Sequence, residues 1–290
     1  AYEVVVSILS TENDLGVALV AMYALESLVN EMAFEPTFSI FEPMIDPVVT
    51  AFFDLLGRCK TTDSQLKILS SMGHVIKGIS THVHPYATKI LELVGELWNS
   101  TSESLMQTAL IRTLGDLVVS LAGEATHWYQ HLIPIINYST QVNGRSSDNS
   151  LLEEGIILWL YTLRTATEFS PELLGLFPNL STIIQGGLTP VLLQLCLKLV
   201  ESYILLGQID FLQAHVADLV MIFEFWFGYI RSDDLVNLKA VMRPLEIMLM
   251  LYPEEMPTDF EPVLLKLLNM IFSGEETALA SCYFVHFFNH

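Results

Sequence analysis

Basic residues are scarce in this chain: 13 Lys and Arg stand against 33 Asp and Glu, a formal net charge of −20. Phosphate neutralisation requires cations gathered in patches, and no such patch occurs in the sequence, so no nucleic-acid ligand is expected. An acidic membrane surface is disfavoured for the same reason. Cysteine is equally sparse. Cys59, Cys196 and Cys282 lie far apart with no CxxC spacing, which argues against a disulfide framework or a zinc site and fits a reducing compartment. Mean hydropathy is +0.47, yet no run of about 18 uncharged apolar residues exists. Leu188 to Gly207 is broken by Lys198 and Glu201, and Val216 to Ile230 by Asp218 and Glu224. No membrane insertion is expected. The apolar segment Val4, Val5, Val6, Ile8, Leu9 has no basic stretch before it and is followed by Glu12 and Asp14, unlike a signal peptide.

Motifs for chemistry are missing too. There is no GxSxG, no P-loop and no GxGxxG, so neither an enzyme nor a cofactor is expected. His127 and His131 have the i, i+4 spacing of metal ligands but lack the HExxH glutamate and a third ligand, and His82 and His84 sit at a turn. Capping or surface roles explain them better than a metal site. The pairs Glu153-Glu154 and Glu254-Glu255 fit helix N-termini and a loop rather than acid–base catalysis. The sequons at Asn99, Asn137 and Asn179 carry no meaning without secretion.

What is present is apolar and periodic. Apolar residues make up 52% and charged residues 16%, against averages of about 45–50% and 25%. Leu15, Ala18, Leu19, Met22, Leu25 and Val29 follow the i, i+3, i+4, i+7 template, as do Ile45, Val48, Phe52, Leu55, Leu56 and Cys59, which read as the partner helix. No sustained two-residue alternation bounded by hairpin turns occurs, so no sheet is expected. Helix starts are marked by Ser170-Pro171-Glu172 and Thr189-Pro190, and by capping boxes at Thr258/Glu261 and Ser273/Glu276. Gly57, Gly123, Gly186-Gly187, Gly207 and Gly274 mark helix stops, and Gln141 to Ser150 reads as an inter-repeat loop.

Helical hairpins open near Asp14, Asp63, Glu103, Leu151, Thr189, Asp233 and Glu275, near the HEAT and armadillo period of about 40–47 residues. One hairpin cannot bury its own apolar face, so neighbours must stack. The expected class is all-α: a right-handed superhelical HEAT solenoid of antiparallel helix pairs, one segment over residues 1–290. The apolar segments near Val4–Leu9 and Tyr283–Phe288 carry no polar cap, which reads as an internal or C-terminal piece of a longer protein. Such arrays bind macromolecules on long surfaces.

With this charge, basic protein segments are the natural partners. Asp46, Thr50 and Asp54 form a polar stripe on one second helix, Glu92 and Glu96 another beside Lys89, and Asp218 and Glu224 a third. The third hairpin has Gln130, Asn137 and Gln141 there instead. If second helices face inward, Asp46, Asp54, Glu92, Glu96, Asp218 and Glu224 form an acidic inner wall that binds cargo.

Several segments go beyond generic repeats. His84-Pro85-Tyr86-Ala87 with Ile90, Leu151-Leu152-Glu153-Glu154-Gly155-Ile156 with Leu158-Trp159, Ser170-Pro171-Glu172-Leu173-Leu174 with Leu176-Phe177-Pro178-Asn179-Leu180, and Glu201-Ser202-Tyr203-Ile204-Leu205-Leu206 occur in order. Together they resemble the importin-beta superfamily of nuclear transport receptors, most closely the importin-eleven branch, from about Asp14 to Pro253. The resemblance implies a receptor that carries protein cargo through nuclear pores between cytoplasm and nucleus, binds Phe-Gly nucleoporins, and releases cargo under the GTPase Ran. The family's amino-terminal Ran-binding repeats have no counterpart here, so the main Ran-GTP site is expected elsewhere in the full protein. A HEAT scaffold of a non-transport complex shares every compositional feature and stays open as the alternative.

Overall fold

The computed structural model describes residues 2–31, 38–141, 149–186, 189–229, 235–254 and 256–273. The expected hairpin start at Glu275, Cys282, Glu276 of the second capping box, the Gly144–Asp148 part of the polar loop and the Tyr283–Phe288 segment lie outside them. The helices are α1 (Tyr2–Thr11), α2 (Leu15–Glu31), α3 (Phe38–Phe41), α4 (Ile45–Arg58), α5 (Thr62–Ile79), α6 (Ala87–Ser100), α7 (Ser104–Leu121), α8 (Tyr129–Thr140), α9 (Asn149–Thr165), α10 (Pro171–Leu174), α11 (Phe177–Gln185), α12 (Pro190–Ala214), α13 (Val216–Tyr229), α14 (Leu235–Leu251) and α15 (Glu261–Ser273). No strand occurs among the described residues. The starts of α2, α5, α7, α9, α12 and α14 fall within about two residues of the spacing expected from sequence. Cα packing groups the chain into two compact units: Ala1–Ser139 with Ser147–Thr165, and Thr140–Ser146 with Ala166–His290.

In the first unit, short turns at Glu12–Asp14, Cys59–Thr61 and Thr101–Glu103 join α1 to α2, α4 to α5 and α6 to α7. The Asp14 carboxylate accepts the N–H groups of Gly16 (2.8 Å) and Val17 (3.3 Å), capping α2. The Arg58 guanidinium donates to the Glu12 and Leu9 carbonyls (2.6 and 2.8 Å), closing the free end of α1. Between these hairpins the chain runs through 3₁₀ turns, Ser80–Tyr86 and Ala122–Trp128. Each opens on a residue in the left-handed region, Ser80 and Ala122, both at φ 49°. Gln208 (φ 51°) marks the same device in the second unit. Helix α4 thus runs against α1 and α5, and Phe52 lies beside Met72, Val75, Ile76 and Ile79 of α5, whereas the sequence reading paired α4 with α2. Periodicity fixes the repeat length; the short turns fix which helices pair.

Within this unit α2, α5, α7 and α9 form a row whose backbones run close together, while α1, α4, α6 and α8 form a wider-spaced row. Glycine marks the difference. A Cβ on Gly78 would collide with the Val29 side chain, so this position of α5 needs glycine for close approach, while one on Gly73 would displace the end of the Asp116 side chain. Gly57 of α4 and Gly95 of α6, on the other row, have open space. Small hydroxyls exploit the proximity: Thr113 donates to the Leu69 carbonyl (3.5 Å) and Ser120 to that of Ile76 (3.3 Å). Between the rows lie Leu25, Phe52, Leu69, Val94, Leu114 and Trp159, all buried. Each such side chain contributes about 1.5–3 kcal/mol when removed from water.

The second unit repeats the pattern, with α12 close to α14 on one side and α11, α13 and α15 on the other. Ser170 and Thr189 cap α10 and α12 as expected, accepting from Leu173 N–H (3.3 Å) and Leu192 N–H (3.2 Å). Thr258 does not cap a helix: it begins a 3₁₀ turn after Pro257, and α15 starts only at Glu261. Helix α12 breaks at Gln208, directly after Gly207. The break gathers Phe169, Phe177, Tyr203, Phe211 and His215 into one ring cluster with centroids 4.9–5.9 Å apart. Its anchor is the Tyr203 hydroxyl, donating to the Leu173 carbonyl at 2.6 Å.

Two stretches, Ser104–Thr140 and Pro190–Ala214, are apolar and long enough to cross a membrane by length and composition. In the structure 67% and 44% of their most apolar windows are buried in protein. Each contains a break, at Ala122 and Gln208, so neither is one straight rod.

Candidate functional site

The repeat turns place the acids singled out from sequence on one kind of helix. Asp46 and Asp54 lie on α4, Glu92 and Glu96 on α6, and Asp218 and Glu224 on α13. All six are exposed, because Val48, Phe52, Leu55, Ile90, Val94, Leu219 and Phe223 turn the opposite face of each helix into the core. In the first unit the four acids belong to the wider-spaced row, whereas the tightly packed side is formed by the other helices. The inward-facing wall supposed from sequence therefore sits opposite the side where backbones approach closest. Sequence periodicity is blind to that distinction.

Partners of these carboxylates are few. The Tyr86 hydroxyl bonds to Asp46; burial first, then the Asp46 charge, pushes the Tyr86 phenol above its ordinary value. Asp218 contacts His215 at 3.2 Å. Among the described residues the carboxylates of Asp54, Glu92, Glu96 and Glu224 form no ion pair. Neighbouring Lys89 lies over the Phe53 ring instead, 4.5 Å from its centroid. The matching positions Gln130 on α8 and Gln141 just after it are exposed and uncharged.

The tightly packed row handles charge differently. Glu26 of α2 meets His74 of α5 (2.6 Å), Lys77 of α5 meets Asp116 of α7 (2.7 Å), and Arg112 of α7 meets Glu154 of α9 (2.6 Å). Each pair joins consecutive helices of the row. The acids are shielded, 19%, 16% and 13% exposed, while their basic partners stand at 46%, 54% and 64%. The Glu154 carboxylate, bonded to Arg112, pushes the guanidinium still higher. These pairs lie along a groove of about 600 Å³ lined by Leu66, Ser70, Leu105, Thr108 and Tyr161. The sequence reading passed over the ladder. Its members lie one repeat apart in sequence, on α2, α5, α7 and α9.

The histidines and thiols singled out from sequence have local surroundings of their own. His127 Nδ1 bonds to the Glu124 carbonyl (3.0 Å), and His131 contacts Gln130 (3.3 Å). No group of three metal-capable side chains converges among the described residues. Burial pushes the Cys196 thiol up to about 12, and raises Cys59 against the opposing charge of Arg58. Of the aromatic run on α13, Phe223, Trp226 and Phe227 are core residues, whereas Tyr229 is 43% exposed.

Comparison with known proteins places these features in context. The family described as "Importin-11-like, TPR repeats" matches residues 108–287. Human Importin-11 is 28% identical over 275 residues, covering 94% of this chain and 27% of the relative, and mouse Importin-11 matches to the same extent. Importin beta-like protein KAP120 of Saccharomyces cerevisiae is 23% identical over 219 residues, 72% of this chain and 21% of the relative. The chain thus spans about a quarter of the length of these relatives. An engineered protein of known crystal structure superposes with a TM-score of 0.57 at 15% identity, covering 84% of this chain and 95% of the other, a likeness of fold alone.

Proposed function

The chain belongs to the importin-11 branch of the importin-beta superfamily, and from that premise we propose that it is a segment of a nuclear transport receptor that binds basic protein cargo on the acidic faces of α4, α6 and α13. The observation that carries the proposal is the contrast between the two rows. Glu26, Asp116 and Glu154 on the tightly packed row are shielded and bonded to His74, Lys77 and Arg112, whereas Asp54, Glu92, Glu96 and Glu224 stand exposed and without an ion pair among the described residues. Unpaired carboxylates keep their field available to a partner.

Each exposed ion pair with cargo contributes only about 0–1 kcal/mol, so recognition is collective. Screening acts over about 8 Å at physiological ionic strength. In the full-length receptor the same membership supports Phe-Gly nucleoporins and Ran-GTP as partners and shuttling between cytoplasm and nucleus, with the Ran switch lying outside this segment.

The test uses a fluorescent Lys- and Arg-rich peptide and its Gln-substituted counterpart, titrated by anisotropy at several salt concentrations. The proposal requires tight binding of the basic peptide only, weakening steeply as salt rises. Equal binding of the two peptides, or binding that ignores salt, would overturn it.

A further inference from the structure

The groove of about 600 Å³ on the tightly packed row of the first unit is bordered by α5, α7 and α9. Its charges cancel. Lys77 is bonded to Asp116, Arg112 to Glu154, and His74 to Glu26, so each charged side chain that lines the groove is engaged. In a chain of net charge −20, this is a locally neutral stretch. Apolar surface is left open within it: Leu105 is 72% exposed, and Leu66, Ala109 and Ile157 are half-buried. Thr108 also lines the groove. It is only 6% exposed, and its hydroxyl has no hydrogen-bond partner. Buried hydroxyls are ordinarily paired. Thr113 of the same helix donates back to the Ala109 carbonyl at 3.0 Å, and Thr108 makes no such bond.

We propose that this groove binds an uncharged, extended segment of a partner protein, with aliphatic side chains against Leu66, Leu105 and Ile157 and a main-chain carbonyl accepting from the Thr108 hydroxyl. The lining stretch of α7, Leu105 to Asp116, is about 16 Å long at 1.5 Å per residue. That length matches about five residues of extended peptide at about 3.3 Å each. An extended segment has free carbonyls to offer Thr108, whereas a helix bonds its own. Charge complementarity selects an uncharged occupant, because any ion brought here must compete with a pair already formed. Nucleic acid fits poorly. The Tyr161 ring lies against Gly115 of α7, where a Cβ would meet it at 3.3 Å, so bases find no open stacking platform on it. This surface lies on the other row from the acidic faces of α4 and α6 and recognises a different chemistry.

The probe is an eight-residue peptide alternating Leu and Asn, carrying an uncharged fluorophore and measured by anisotropy against the full chain. The peptide binds, its affinity holds across the salt range that weakens the basic peptide, and Ala in place of its Leu lowers affinity at least tenfold. Leu105→Asn lowers it about tenfold without altering net charge. Thr108→Val separates a ligand-facing hydroxyl from a structural one. Peptide binding falls several-fold while Tm holds or rises, because no internal hydrogen bond is lost. The basic peptide used for the cargo faces binds both variants as it binds the parent chain. If Leu105→Asn does not fold, Leu105→Ala replaces it with an expected loss of several-fold. No binding of the Leu peptide, affinity that falls with salt, or binding unchanged by the Leu105 variant would each overturn the proposal. So would Thr108→Val that melts lower or binds as tightly as the parent. A dimer in sedimentation that Leu105→Asn dissociates would give the groove to a second copy and overturn the partner segment. Failure of the basic peptide to bind is a separate outcome and bears only on the cargo faces.

Discussion

Replacing single glycines by alanine separates the two helix rows by sign. Gly95 lies inside α6, on the wider-spaced row, and a Cβ there meets nothing within 4 Å. Alanine then reduces the backbone entropy lost on folding, and Gly95→Ala is expected to stabilise by about 0.5–1 kcal/mol. Gly78 lies in α5 on the tightly packed row, where a Cβ would run into the Val29 side chain. Val29 is β-branched and buried, at 1% exposure, so it has no free rotamer to move into. Overpacking costs about 1–3 kcal/mol, and the helix-propensity gain returns at most about 1 kcal/mol. Gly78→Ala should therefore be neutral to about 2 kcal/mol destabilising. Gly73→Ala should fall between the two, because the atom it meets is the end of the flexible Asp116 side chain. Urea titrations followed by far-ultraviolet circular dichroism measure all three, and 1 kcal/mol corresponds to about 2–4 °C in Tm for a unit of this size. If Gly78→Ala stabilises as much as Gly95→Ala, the rows are equally spaced and the distinction between the two faces fails.

Tyr203→Phe removes the hydrogen bond to the Leu173 carbonyl; that oxygen still accepts from Leu176 N–H at 3.2 Å, so the loss should be near the low end, about 1 kcal/mol, read from the melt. Arg58→Met strips two charge-assisted bonds from the end of α1; a loss of about 2–3 kcal/mol and faster hydrogen exchange confined to α1 and its turn are expected, and unchanged exchange would sink the assignment. Cys196, with its thiol pushed up to about 12 from 9.0 by burial, should resist iodoacetamide at pH 8 until the protein is unfolded. The same shift favours the folded state below pH 9, and this contribution is lost as pH rises through about 12.

The helices of the described fold were legible because the local signals are strong. Ser170 and Thr189 cap where their Pro-containing motifs say they should, and Ala18, Met22, Leu25 and Val29 are buried as their periodicity selects, while Leu15 at the helix start is 37% exposed. The pairing of helices was not legible. A period of about 42 residues is the same whether α4 is assigned to α2 or to α5; three-residue turns and the left-handed Ser80 and Ala122 decide it. Thr258 misled because Pro257 precedes it and the chain takes a 3₁₀ turn first. The acids' exposure was readable from helix phase, but not which row packs tightly. That depends on Gly73 and Gly78 meeting side chains of other helices, Asp116 and Val29, a long-range fact. The ion-pair ladder was hidden because its members are one repeat apart in sequence, beyond the i, i+4 window in which charges are ordinarily paired by eye.

The central claim is that unpaired acids on α4, α6 and α13 recognise basic cargo, and a comparison of two double charge reversals tests it most directly. Glu92 and Glu96 of α6 are exposed and unpaired among the described residues, whereas Glu26 of α2 is occupied by His74, with Glu31 as its exposed neighbour on the same helix. Both double variants, E92K/E96K and E26K/E31K, change net charge equally, so the overall field shifts alike. Affinity for the Lys- and Arg-rich peptide is measured by anisotropy at about 0.15 M salt, where the Debye length is about 8 Å. The account predicts a clearly larger loss for E92K/E96K, expressed mainly as slower association. Equal losses would mean that charge acts only through the overall field, and no loss in either would contradict the claim outright.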